Sequence, residues 1–328
     1  MIIMNKDILL KVNNLKKYYP VTAGIVPRRI GDIKAVDGVG FEMKQGEILG
    51  LVGESGCGKS TLGKTILRLE APTSGSILYR QKDITRIGSR ELRELRKDLQ
   101  IIFQDPESSL DPRMTVGDSI GEAFVVHNIG SDKDREERIK ELMEKVGLDG
   151  SQVGMYPHEF SGGQKQRIGI ARALAVDPRL IIADEPVSAL DVSIQAQILN
   201  LLLDLHNQLD LSYIFIAHDL AVIYYIADTV AVMYLGKIVE MADKHELYQH
   251  PLHPYTEVLL SAVTQIKSGI KHRILLKGDV PSPFNPPAGC RFNPRCHRVM
   301  PVCHEIEPEL IEISGGHKVA CHLYPAKG

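Results

Sequence analysis

No uninterrupted apolar run in the 328 residues approaches the roughly 20 needed to span a bilayer. Any role at a membrane must therefore come through a partner. The stretch Met1 to Leu10 carries Lys6 and Asp7 and lacks a small-residue cleavage site, so it does not read as a secretion signal, and the chain is expected to be cytoplasmic. A basic field is missing as well. Lys plus Arg total 39 against 41 Asp plus Glu, a net charge of −2, which removes the global attraction that a nucleic-acid partner would use. The sequence has no internal repeat. Its 44% hydrophobic and 24% charged residues exclude a disordered or fibrous chain. Cysteine is scarce and uneven: Cys57 stands alone, while Cys290, Cys296, Cys303 and Cys321 cluster near the C-terminus. In a reducing compartment such clustering points to a thiolate site and not to disulfides.

What is present is an α/β rhythm, in a length that allows one large domain or two modest ones. Ile8 to Val12, Gly40 to Met43 and Glu47 to Val52 read as strands, with the Gly-, Pro- and Arg-rich stretch Pro20 to Asp32 as an exposed loop between them. After Gly58, Leu62, Ile66, Leu67 and Leu69 recur at helical spacing until Pro72, and Ile77 to Tyr79 is a strand. From about 106 to 176 strand signals fade. Val116 to His127, Asp134 to Val146 and Ser161 to Ala175 read as helices, a helical insert in the α/β core. Leu180 to Ala183 and Tyr213 to Ala217 are short apolar strands of the buried parallel kind. Helices at Ile194 to Leu209 and Leu220 to Ala227 alternate with them, followed by strands Thr229 to Tyr234 and Lys237 to Glu240. Beyond Gly278 the chain is dense in Pro, Cys, Asn and His, and reads as an appendage held by local chemistry.

Gly53-Glu54-Ser55-Gly56-Cys57-Gly58-Lys59-Ser60 matches G-x-x-x-x-G-K-[ST] between a strand and a helix, the context this phosphate loop requires. Its glycines let backbone N–H groups point inward at phosphate oxygens, and the helix N-terminus adds positive potential. Gly53, Ser55, Gly56, Cys57, Gly58, Lys59, Ser60 and Thr61 are thus the expected phosphate-binding residues. Lys59 would reach the β- and γ-phosphates and Ser60 would place its hydroxyl on Mg²⁺. Cys57 reads as a small apolar residue, not a reactive thiol. The strand ending at Asp184 and Glu185 puts two acids where such sheets bind ligands: Asp184 to hold Mg²⁺ through water, Glu185 to polarise an attacking water. Ser161-Gly162-Gly163-Gln164 opens a helix and reads as a second phosphate-binding surface or as a plain N-cap.

With these motifs the chain resembles the ATP-binding subunits of ABC transporters. Phe160 to Gln164 is similar to their LSGGQ signature, with Phe for the leading Leu. The resemblance implies that Gln104 is the Q-loop glutamine contacting Mg²⁺, and that Ser188 to Asp191 is the D-loop, with Asp191 crossing a dimer interface. It further implies that His218 is the switch histidine at the γ-phosphate and that Tyr19, not its neighbour Tyr18, stacks on adenine. The implied fold is a P-loop, RecA-like α/β core with an antiparallel β region and a helical subdomain. ATP and Mg²⁺ are the implied cofactors. The implied assembly is an ATP-dependent homodimer, or a heterodimer with a second ABC ATPase, on two transmembrane permease subunits at the cytoplasmic face of the inner membrane.

His253-Pro254-Tyr255-Thr256 and the later cysteines resemble the tail of the dipeptide and oligopeptide importer ATPases, whose relatives also serve nickel uptake. This implies residues 1–265 as the nucleotide-binding domain, residues 266–328 as a Cys-rich appendage, and an extracellular peptide-binding protein as an indirect partner. Four thiolates permit zinc or an iron–sulfur cluster. In that family the segment is associated with a [4Fe–4S] cluster, so Cys290, Cys296, Cys303 and Cys321 are expected to hold one. A nickel importer and a soluble, non-transport ABC ATPase are the alternative functions.

Overall fold

Alternating burial along the second strand shows the half-covered antiparallel sheet that it builds with the first. In the computed structural model, which describes residues 8–24, 28–262 and 278–324, strand β1 (Ile8–Ala23) buries Leu10, Val12 and Leu15, and β2 (Arg28–Lys44) buries Val39, Phe41 and Met43 at a spacing of two. The pair runs antiparallel from Ile8 opposite Lys44 to Ala23 opposite Arg28. Pro20 to Ala23 and Arg28 to Asp32, within the stretch expected as a loop, are therefore paired strand. Pro20 is tolerated there because the other edge of β1 pairs only as far as Lys16, so no ladder bond needs the missing N–H. Next come β3 (Ile48–Val52), buried throughout, and α1 (Lys59–Ile66), and then β4 (Ser74–Tyr79) and β5 (Lys82–Asp83) complete a sheet of order β2-β1-β4-β5.

The chain divides into two compact units, one formed by the residues up to Arg86 and from Ala217 onward, the other by Ile87–Ile216. The second unit opens with α2 (Ser89–Asp98), whose only apolar residues, Leu92 and Leu95, are half-buried among eight polar ones. It continues through β6 (Leu99–Ile102), α3 (Pro106–Ser109), α4 (Val116–Val126), α5 (Asp132–Lys145), α6 (Gly162–Leu174), β7 (Leu180–Asp184), α7 (Val192–Leu209) and β8 (Ser212–Ala217). Strands β6, β7 and β8 are parallel neighbours, and every residue of β7 and β8 is buried. Ile120 and Phe124 of α4, Met143 of α5 and Ile168 of α6 are wholly buried where these helices pack together.

Back in the first unit the chain forms α8 (Leu220–Ile226), β9 (Thr229–Tyr234), β10 (Lys237–Asp243), α9 (Lys244–Gln249) and α10 (Pro254–Ser261), then β11 (Ile311–Ser314) and β12 (His317–Val319). Within this unit the strand order is β11-β12-β10-β9-β3, with β3 parallel to β9 and the others antiparallel. The C-terminal stretch thus adds two strands to a sheet instead of standing apart as an appendage. Among the described residues no helix is long and apolar enough to cross a membrane.

A buried polar network ties these last elements together. Glu240 of β10, 0% exposed, accepts the N–H groups of Leu252 and His253 at 2.7 and 2.9 Å, and His317 Nε2 lies 2.8 Å from it. His253 Nδ1 in turn accepts the N–H of Tyr255 at 3.0 Å, which requires a neutral ring protonated on Nε2. Burial pushes its pKa from 6.5 down to about 4. A histidine neutral when folded binds a proton more readily when unfolded, so its stability contribution is complete above about pH 6.5 and is lost as the pH falls towards 4. The melting temperature should drop between pH 7 and pH 5, and His253→Asn, which keeps a capping acceptor, should flatten that slope. An unchanged slope in thermal melts would exclude His253 as its source.

Candidate nucleotide site

The phosphate loop is built from β3 into α1. Gly58 caps the helix at φ 104°, and a Cβ there would stand 2.0 Å from the Ala35 carbonyl oxygen; at Gly53 it would stand 2.1 Å from that of Met233. No other residue fits either place. Lys59 is 4% exposed and its Nζ donates to the carbonyls of Gly53 and Glu54 at 2.8 and 3.1 Å, so its charge sits within the loop. Ser60 and Thr61 follow on the first turn of α1, which contains no acid. Buried Leu62 and Ile66 fix that helix. Cys57 is 3% exposed and burial raises its thiol pKa, so it fills space as a neutral group.

In the second unit β7 ends on buried Asp184, and the chain turns at Glu185 with φ 46°. A non-glycine residue in this region costs about 1–3 kcal/mol. Its backbone is held by the Glu185 N–H bond to the Ile216 carbonyl at 3.0 Å, and its own carbonyl accepts the N–H and Oγ of Ser188. Gln104 Nε2 donates to Glu185 Oε2 at 3.0 Å, so two of the expected site residues, 81 positions apart, are brought together. Ser161 and Gln164 form a capping box at the start of α6: Gln164 Oε1 accepts the Ser161 N–H at 2.9 Å, and Ser161 Oγ accepts the Gln164 N–H. Exposed Gly162 and half-buried Gly163 form the first turn of that helix. Asp191 caps α7, accepting from the Ile194 N–H at 3.0 Å and from Ser193 Oγ at 2.7 Å, and the Ile194 N–H lowers its pKa.

Tyr18 and Tyr19 point to opposite sides of β1. Tyr18 donates its hydroxyl to Asp37, which Arg291 also engages. Tyr19 donates to Glu70, and Lys17 Nζ lies 4.8 Å from its ring centroid; burial, then the Glu70 bond, push its pKa up to about 12. His218 is exposed directly after β8. The phosphate loop, Tyr19 and His218 belong to the first unit; Gln104, Asp184, Glu185, the residues 161–164 and Asp191 belong to the second.

The expected metal centre in the tail is overturned. Among the described residues no group of three or more His, Cys, Asp or Glu side chains is placed to hold a metal ion, although all four tail cysteines are described. Cys290 and Cys303 are buried, and Cys296 and Cys321 partly so. Burial pushes the Cys290 and Cys321 thiols up to about 11, with further rise from the neighbouring cysteines, a setting that favours thiol over thiolate. Neither a [4Fe–4S] cluster nor zinc has a ligand set among the described residues. Hydrogen bonds and ion pairs cross-link the tail instead, among them the Glu240 network and the buried Arg291–Asp37 pair.

Sequence reasoning missed the groups that hold the phosphate loop from outside. Tyr255 Oη accepts the Glu54 N–H at 2.9 Å, and Arg295 forms a two-pronged ion pair with the Glu54 carboxylate. The His253-Pro254-Tyr255 run was a visible signal, but nothing local says that its tyrosine reaches a loop 201 residues away.

Comparison with known proteins agrees with this geometry. Residues 36–188 match the family described as ABC transporter, and residues 239–303 the one described as oligopeptide/dipeptide transporter, C-terminal region. The chain is 54% identical over 324 residues to the oligopeptide transport ATP-binding protein AppF of Bacillus subtilis (strain 168), covering 98% of each. It is 47% identical over 314 residues to the dipeptide transport ATP-binding protein DppF of Haemophilus influenzae, covering 95% of this chain and 96% of that one. A solved dimeric ATP-binding cassette in a post-hydrolysis state, bound to ADP and Pi, superposes with a TM-score of 0.64 at 28% identity, over 72% of this chain and 99% of that one. The chain therefore belongs to the ATPase subunits of ABC transporters, in the family that carries the oligopeptide/dipeptide C-terminal region.

Proposed function

We propose that the chain hydrolyses ATP to drive import of dipeptides or oligopeptides. The observation that carries this reading is full-length similarity to oligopeptide and dipeptide transport ATP-binding proteins in a chain whose phosphate loop is intact. Gly53, Ser55, Gly56, Cys57, Gly58, Lys59, Ser60 and Thr61 take the phosphates, and Tyr19 stacks on adenine. Ser60, Gln104 and Asp184 offer the oxygen donors that Mg²⁺ prefers. Glu185 polarises the attacking water and His218 contacts the γ-phosphate. Residues 161–164 and Asp191 serve across an ATP-dependent dimer, formed with a second copy or with another ABC ATPase. That dimer works on two membrane permease subunits at the cytoplasmic face, with a peptide-binding protein outside the cell. Residues 1–265 form the nucleotide-binding domain and 266–328 its C-terminal extension.

A strain lacking this chain should lose uptake of labelled di- and oligopeptides, and the wild-type chain should restore it. Lys59→Ala should not, because loss of the charge on the phosphates weakens ATP binding by about tenfold or more. Loss of nickel uptake with peptide uptake unchanged would overturn the cargo.

A further inference from the structure

The phosphate loop contains a carboxylate as well as an ammonium group. Glu54 directly follows Gly53, and its backbone carbonyl is a partner of Lys59 Nζ. An uncompensated negative charge here would oppose the polyanion that the loop binds, since unlike the helix terminus it repels phosphate. The C-terminal region supplies the compensation. Arg295 Nη1 donates to Glu54 Oε2 at 2.6 Å and Nη2 to Oε1 at 3.0 Å, the parallel fork that guanidinium and carboxylate form best. The Arg295 side chain is 6% exposed and that of Glu54 25%, so solvent ions screen the pair weakly. Its mount is rigid. The guanidinium lies 5.9 Å from the Tyr234 ring centroid, and Tyr234, Tyr255 and Phe292 pack with centroids 4.7 to 5.4 Å apart. Tyr255, from the same cluster, holds the Glu54 N–H.

Resting on the reading of this loop as the ATP site, we infer that Arg295 is a positioning residue for it: it cancels the Glu54 charge and turns that carboxylate into the C-terminal region, so that this region sets ATP affinity. The side-chain hydrogen bonds of Arg295 reach Glu54 and Tyr234, so it acts on the loop through Glu54. The charge on Glu54, not the mere presence of an anchor, is then what makes Arg295 necessary.

The full-length protein tests this by Mg-ATP titration and steady-state hydrolysis. Arg295→Ala should raise the Kd for Mg-ATP about tenfold, with a smaller rise for the less charged Mg-ADP. Added salt should narrow the gap to wild type. At saturating ATP kcat should stay within about twofold, placing the defect in binding. The decisive variant is Glu54→Gln/Arg295→Ala, which should bind ATP within about threefold of Glu54→Gln alone, because no charge remains to be cancelled. If Arg295→Ala does not fold, Arg295→Gln replaces it in the same comparison. Wild-type affinity in the Arg295 variant, or a double variant as weak as the Arg295 variant, would overturn the inference. Wild-type protein that fails to bind ATP would overturn the ATPase reading itself.

Discussion

Glu185→Gln is expected to abolish steady-state ATP hydrolysis while leaving ATP binding intact. The residue sits where β7 ends, in a left-handed conformation that the Ile216 carbonyl and the Ser188 side chain hold in place. Glutamine keeps the size and the backbone partners. Its carbonyl oxygen can still accept the bond now donated by Gln104 Nε2 at 3.0 Å. What is lost is the ability to take a proton from water. Removing such a group typically costs about 10²- to 10⁴-fold in rate. Phosphoryl transfer offers little other chemistry to the protein, so the remaining positioning should not make good the loss. In a dimer that closes on ATP and reopens on cleavage, the variant should accumulate as ATP-bound dimer, read by light scattering with and without Mg-ATP. Hydrolysis near the wild-type rate would show that another group activates the water.

The parts of this site legible in sequence are those whose chemistry is contiguous. Eight consecutive residues spell the phosphate loop, and five consecutive buried residues announce β7 with its acids at the end. Long-range pairing hid the rest. Pro20 to Asp32 looks like a loop because proline and glycine break local patterns, yet the register with β1 extends through it to Ala23 opposite Arg28. Arg295 and Glu54 stand 241 positions apart, and neither residue alone announces the other. The tail misled for a different reason. Its prolines and clustered cysteines resemble a small metal module short of a core, whereas its ends are stitched into a sheet by β12 and into a buried polar network by His317. Cysteine spacing is visible in a sequence; a buried carboxylate shared by three donors is not.

That carboxylate, on β10, is a principal anchor of the tail. Glu240→Ala should destabilise the first unit by about 3–5 kcal/mol, the usual result of removing one partner of a buried charged group. Three donors converge on it: the Leu252 and His253 N–H groups and His317 Nε2. The His253 and His317 groups would be left buried without an acceptor, at about 1–3 kcal/mol apiece before relaxation, and the half-buried Leu252 N–H would lose its partner too. Glu240→Gln should be milder, since one amide oxygen remains to accept, but its NH₂ would face N–H donors. The damage should be local in a defined way. Glu240 lies on β10 opposite Val319 of β12 and also holds the residues that lead into α10, so its loss should free β12 and loosen Tyr255 together. Limited proteolysis should then cut the C-terminal stretch well before the second unit, and denaturant unfolding should shift to a lower midpoint with a smaller slope as the tail detaches early. ATP affinity should fall with it, because the Glu54 N–H depends on Tyr255. A Glu240→Ala protein with the wild-type midpoint and an intact, protease-resistant tail would mean that the β11–β12 strands and the Arg291–Asp37 pair suffice to hold the tail without this network.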